Sequence, residues 1–183
     1  MIEPAGFEET VFNNGYKLVD GVEMNRLHGE RFAVVNPWFK KHVRAGEFVE
    51  IRIDSDRFSA HPDASPGCDC ELCGEEATKP ILSHEQPLSL LEVPRQPVPA
   101  RGWGEEFWVC ITEREDTWLR GEIDNYLYES KLHGLDQGTT IVFRESHILS
   151  VHPVHNSDIM SRMDDDDCQA FGQWLMSRRD PEN

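Results

Sequence analysis

The sequence predicts an α+β protein built on a small, mostly antiparallel sheet that curls or closes into a barrel, with short helices and a C-terminal helix. The segment FVEIRID at 48–54 alternates apolar and polar residues, as a half-buried strand does. EFWVCITE at 106–113 and TWLRGEID at 117–124 flank the charged segment around 113–117, a pattern typical of a hairpin. Apolar residues near the C-terminus recur at helical spacing, which predicts a helix over 157–178.

The composition provides a core for one domain. The chain has 183 residues, 38% of them hydrophobic, with nine Phe and five Trp, and this apolar content argues against general disorder. We expect a β-rich domain over 1–155 and a C-terminal helix over 156–183 that packs on it. The stretch 57–87 lacks periodicity and is rich in Pro, Gly, Cys and acidic residues, so it is predicted to be a long loop within the first domain.

Local signals place the remaining elements. Residues 7–35 predict short strands and turns, with turn signals at 13–15 and 20–21. Asn36 is a suitable cap and Pro37 a suitable first residue for a helix that ends near Gly46. A further short helix is expected from Asn125 to Gly134, followed by a pair of strands over 139–153.

Charge and hydropathy exclude several functions. The net charge is −16 and the pI about 4.8, which disfavours nucleic acid as a partner and suits a basic protein. No apolar run is long enough for a membrane span, and the N-terminal residues carry no apolar signal core, so we expect a cytoplasmic protein.

The segment GCDCELCGE holds the strongest chemical signal. Cys70 and Cys73 have the spacing of a zinc knuckle, Cys68 is a candidate third thiolate, and His84 is the preferred fourth ligand ahead of His61. Free loop thiols are the main alternative, and a redox dithiol is less favoured because the motif does not begin a helix after a strand. The prediction is a structural zinc ion.

Other candidate groups are weaker. His147, His152 and His155 are most simply surface histidines near strand ends, and the aspartates at 164–167 are most simply a solvated helix face. Trp103 lies between two glycines in an apparent Pro/Gly linker, where it is a candidate anchor for a protein partner, although packing on its own core is the more favoured alternative.

Several segments resemble a bacterial family known as domain of unknown function 2314. The resemblance covers residues 31–53 and 106–150, including WVCIT at 108–112, RGEIDN at 120–125 and QGTTIVFRESHI at 137–148. It implies an SH3-like barrel and a bacterial source, and it implies no activity or catalytic residue. The cysteine loop, the Pro-rich segment and the C-terminal helix depart from the family pattern.

These observations favour a non-enzymatic binding or regulatory module with a structural zinc knuckle. One version is an immunity-type protein that masks a basic partner. The alternative is a metal-dependent hydrolase that uses the Cys/His cluster, which requires an open metal coordination position and a nearby base. No nucleophile elbow or phosphate-binding loop is present in the sequence.

Overall fold

The fold is taken from a computed structural model, which describes residues 6–29, 32, 35–55, 103–128 and 130–177. The strands are β1 (Tyr16–Leu18), β2 (Phe48–Ser55), β3 (Trp103–Glu115), β4 (Trp118–Ile123), β5 (Thr140–Arg144) and β6 (Ser150–Val151). The helices are α1 (Gly21–His28), α2 (Pro37–His42), α3 (Ser130–His133), α4 (Asn156–Ser161) and α5 (Asp165–Ser177).

The strands form one antiparallel sheet in the order β1-β2-β3-β4-β5, with β6 added beside β2. The sheet curls into a nearly closed barrel, so the predicted α+β class is confirmed, and an SH3-like barrel is compatible with this arrangement. Inward-facing side chains of the strands fill the barrel and are almost completely buried, among them Ile51, Ile53, Phe107, Ile111, Leu119, Ile141 and Phe143.

The central hairpin is confirmed, with a tighter turn than the sequence predicted. Only Asp116 and Thr117 separate β3 from β4, and Asp116 has a φ of 54°, a left-handed conformation that Asp tolerates better than most residues. Gly121 allows the two strands to approach, because a Cβ there would lie 2.5 Å from the Cys110 carbonyl oxygen. The turn places Thr117 beside the end of β5, where the Glu145 amide donates to the Thr117 carbonyl over 2.8 Å.

The N-terminal prediction of strands and turns over 7–35 is partly wrong. β1 is present, but α1 occupies Gly21–His28. The Asp20-Gly21 turn signal is in fact a helix start: Asp20 Oδ1 accepts a hydrogen bond from the Glu23 amide over 2.9 Å. The signal was misleading because Asp favours both turns and helix caps.

Helix α2 begins as predicted and is shorter than expected. The Asn36 side chain accepts from the Trp38 amide over 3.0 Å, and Pro37 is the first helical residue. The helix ends at His42, and Gly46 lies in the following turn with a φ of 88°.

Two other predicted elements differ from the structure. The helix expected over 125–134 is reduced to α3. Both strands expected over 139–153 are present, as β5 and β6, but they do not pair with each other, because β5 pairs with β4 and β6 pairs with β2. Periodicity identifies a strand but not its partner, which is chosen by long-range packing.

The predicted single helix over 157–178 is two helices, α4 and α5, separated at residues 162–164. Ile159 and Met163 are buried in the main core, and the Phe171 ring contacts the Phe39 ring at a centroid distance of 5.4 Å. These contacts attach both helices to the barrel and to α2. Within the described residues, no helix has the length and apolar character needed to cross a membrane.

Candidate functional site

A cavity of about 460 Å³ lies between α1, α2 and the end of β5. Val22, Val35 and Pro37 form apolar parts of its lining, and Lys40, Arg144, Glu145, Ser146, Thr117 and Asn25 supply the polar part. The cavity therefore combines an apolar wall with a small number of polar groups, the usual composition of a ligand site.

Lys40 is the unusual member of this lining. Its side chain is carried by α2 next to the buried Phe39, and only 3% of the residue is exposed. The ammonium Nζ is buried and has no hydrogen-bond partner within the described part of the chain. A buried ammonium normally finds acceptors for its N–H groups, because desolvation without compensation is costly.

Burial lowers the pKa of Lys40 from 10.5 to about 8, against the opposing effect of the Glu145 and Asp20 carboxylates. The amine is therefore mainly protonated at neutral pH, with roughly a tenth of the molecules neutral near pH 7. Because this pKa is near neutral pH, both the protonated ammonium and the neutral amine of Lys40 are present in substantial fractions.

The nearest carboxylate of the lining already has a partner. The Arg114 guanidinium on β3 pairs with Glu145, and its Nη1 also donates to the carbonyl oxygens of Lys40 and Val43 over 2.7 and 2.9 Å. Arg114 thereby fixes the end of α2 to the end of β5. The Glu145 and Asp20 carboxylates attract the Lys40 ammonium electrostatically, but neither accepts a hydrogen bond from its Nζ.

Two further titratable residues, His147 and Asp20, lie beside the cavity and act electrostatically on Lys40 or on each other. His147 is 6% exposed, and its Nδ1 accepts from the Arg144 amide over 3.1 Å. Burial lowers the pKa of His147 to about 4, assisted by Arg144 and Lys40 and opposed by Asp20, so the imidazole is neutral at pH 7.

Asp20 stays ionised beside these groups. Burial raises the pKa of Asp20, but hydrogen bonds from the Glu23 amide and the Ser146 side chain outweigh it, and the net effect is a lowered pKa. The carboxylate is therefore held by its own helix and by Ser146, and it has no hydrogen bond to Lys40.

Arg144 supplies a second cation to the cavity. Its guanidinium carbon lies 4.3 Å from the centroid of the Trp118 ring, in a cation–π contact. Its Nε also lies 3.9 Å from Oε2 of Glu9, so this guanidinium has a carboxylate partner.

The predicted zinc ligands Cys68, Cys70, Cys73 and His84 lie outside the described residues, as does His61. Within the described ranges, no group of three His, Cys, Asp or Glu side chains is placed to hold a metal ion. Zinc binding by the cysteine loop thus stays a prediction.

Trp103 is not in an extended linker. It is the first residue of β3, where its backbone pairs with Ser55 of β2, so the expected linker ends before this residue. The orientation of its side chain lies outside the described part of the structure, and its role as a partner anchor stays a prediction.

The histidines separate into two environments. His147 is buried beside the cavity, so its interpretation as a surface residue is wrong. His152 is exposed and lies with His155, Phe48 and Trp108 in an aromatic cluster, at ring centroid distances of 5.2 Å to Trp108 and 6.2 Å to His155. The Nδ1 of His152 accepts from the Val154 amide over 3.3 Å, which occupies one of its two nitrogens.

The aspartate run is only partly a solvated face. Asp167 is buried and accepts from Lys41 Nζ over 2.6 Å and from His42 Nε2 over 2.7 Å. These bonds connect the start of α5 to α2, the helix that carries Lys40.

Sequence reasoning did not identify Lys40. The pair Lys40–Lys41 gives no signal that one lysine is buried and the other exposed, because the residue types are identical and α2 is too short for a clear apolar stripe.

Comparison with protein-family models, curated proteins and solved structures finds no match. The resemblance to domain of unknown function 2314 is therefore neither supported nor contradicted.

Proposed function

We propose that this protein is a non-enzymatic, cytoplasmic binding module whose cavity beside Lys40 receives a carboxylate group of its ligand. The observation that carries this proposal is the buried Lys40 ammonium without a hydrogen-bond partner among the described residues. A carboxylate at this position would accept charge-assisted hydrogen bonds from the Lys40 ammonium and satisfy donors that have no partner among the described residues.

The apolar wall favours a ligand whose carboxylate is attached to an aliphatic or aromatic body. Val22, Val35 and Pro37 offer contact area for such a body, and their burial would add to the affinity. A small, strongly hydrated anion would gain the charge interaction and lose this apolar contribution.

The remaining surface suits a second kind of contact. With a net charge of −16, the protein favours basic partners through long-range attraction. We retain the proposal of a basic protein partner and of a structural zinc ion at Cys68, Cys70 and Cys73, with His84 as fourth ligand.

The test of the carboxylate site is a calorimetric titration with butyrate, with butanol as the uncharged control ligand. The matched variants are Lys40→Met, which keeps the aliphatic stem and removes the charge, and Lys41→Met on the same helix. We expect butyrate to bind wild type and Lys41→Met alike and to bind Lys40→Met at least about tenfold more weakly, because a hydrogen bond to a charged group contributes about 1.5–3 kcal/mol.

Equal binding of butyrate by wild type and Lys40→Met would refute the proposed site. Equal binding of butyrate and butanol by the wild-type protein would also refute it, because the charge of the ligand would then have no role.

A further inference from the structure

We propose that the Lys40 amine also reacts with small aldehydes in this cavity and forms an imine with them. This step goes beyond non-covalent binding and rests on the proposed function in one respect: it uses the same cavity. The class of ligand is an aldehyde with a short apolar body.

The geometry places one buried amine without a hydrogen bond in the lining of a partly apolar cavity. Lys40 is one of the lining residues, is almost fully buried, and has no hydrogen bond at Nζ from any described residue. Since Lys40 lines the cavity and its Nζ has no hydrogen bond among the described residues, no such bond has to break before the amine reacts. An amine desolvated in this way is the type of lysine that forms imines with carbonyl compounds.

The reaction balances without an oxidant or a reductant. The neutral amine adds to the carbonyl carbon, forming the C–N bond while the carbonyl π electrons move to oxygen. One proton passes from nitrogen to that oxygen. The carbinolamine then loses water to give the C=N bond, and protonation of the imine restores the positive charge that Lys40 held before.

The neighbouring lysine provides an internal control. Lys41 is on the same helix, its side chain is 55% exposed, and its Nζ donates to Asp167 over 2.6 Å. That hydrogen bond raises the pKa of Lys41, whereas burial lowers the pKa of Lys40 to about 8. Near pH 7.5 the neutral fraction of Lys40 exceeds that of an ordinary lysine by roughly two hundredfold. Because a less basic amine is also a weaker nucleophile, we expect Lys40 to react with an aldehyde only about tenfold faster than an ordinary lysine does.

The experiment treats the full-length protein with butanal and sodium cyanoborohydride near pH 7.5, and follows the reduced adduct at each lysine by peptide mass spectrometry. We expect the adduct to form about tenfold faster at Lys40 than at Lys41, because the pKa of Lys40 is lowered and that of Lys41 is raised. Saturating butyrate should slow labelling at Lys40 and leave Lys17 unchanged. The variant Lys40→Arg should lose the fast adduct while it keeps its positive charge.

Labelling of Lys40 no faster than that of Lys41 would overturn the imine, and butyrate binding measured on the same sample would then still report on the carboxylate site. Fast labelling of Lys40 without butyrate binding or protection would support the imine and refute the carboxylate proposal. The two failures are therefore distinguishable.

Discussion

Replacing Lys40 with methionine should make the protein more stable at neutral pH. The fall in the pKa of Lys40 from 10.5 to about 8 means that the folded state resists protonation of this amine. At about 1.4 kcal/mol for each pH unit, the protonated side chain lowers the free energy of unfolding by about 3 kcal/mol. Methionine has a similar unbranched stem and no charge, so Lys40→Met should recover most of that free energy.

The gain should depend on pH in a defined direction. Between pH 8 and 10.5 the unfolded chain binds more protons at Lys40 than the folded chain does, so the stability of the wild-type protein rises with pH in this window. Lys40→Met lacks this titration. Its advantage is therefore complete below pH 8 and disappears as the pH approaches 10.5.

Urea unfolding followed by tryptophan fluorescence, at several pH values from 7 to 10, measures this difference. We expect a higher midpoint for Lys40→Met at pH 7 with an unchanged slope, and convergence of the two proteins at high pH. Lys41→Met serves as the control and should show no gain, because Lys41 is exposed and paired with Asp167. A midpoint for Lys40→Met equal to or below that of the wild type at pH 7 would refute the reasoning, as would a gain that does not change with pH.

Three further outcomes follow from other parts of the chain. Burial lowers the pKa of His147 to about 4, so acidification from pH 6.5 to 4 should lower the free energy of unfolding by about 3 kcal/mol. In His147→Asn, the free energy of unfolding from urea titrations should change less over this pH range. Elemental analysis should find about one equivalent of zinc per chain, lost in Cys70→Ser, and its absence after metal-replete expression would exclude the knuckle. Phe171→Ala should lower the free energy of unfolding by about 2 kcal/mol, because the partly buried Phe171 ring contacts Phe39 of α2; an unchanged free energy of unfolding would contradict this packing.

The elements that the sequence predicted correctly are those with local causes. The start of α2 depends on Asn36 and Pro37 within one turn, and the β3–β4 hairpin depends on alternation over adjacent segments. The barrel class followed from these strands and from the apolar content, since such strands need a shared core.

The remaining features depend on contacts between distant residues. The pairing of β6 with β2 joins Val151 to Val49, and the burial of Asp167 depends on Lys41 and His42, which lie far away in the sequence. The break between α4 and α5 also escaped prediction, because the apolar residues on both sides fit one continuous stripe.

The cavity escaped prediction for the same reason. The Glu145 carboxylate attracts Lys40 but pairs with Arg114 of the hairpin, and Lys40 Nζ has no hydrogen bond among the described residues. Three segments that are separate in the sequence must meet before this competition exists. The predicted cysteine site, by contrast, depends on close spacing, which a sequence displays directly.

Lys40 should give the two proposed activities opposite responses to pH, which provides the strongest joint test of the site. Carboxylate binding requires the ammonium, so the affinity for butyrate should be constant below pH 8 and fall as the pH rises through that value. Imine formation requires the neutral amine, so the initial rate of butanal labelling should increase over the same interval. The pH dependence of butyrate affinity and that of the labelling rate both follow the protonation of Lys40. Calorimetry and mass spectrometry should therefore report the same pKa near 8. Midpoints that differ by more than about one pH unit would mean that different groups control the two processes, and the assignment of both to Lys40 would fail.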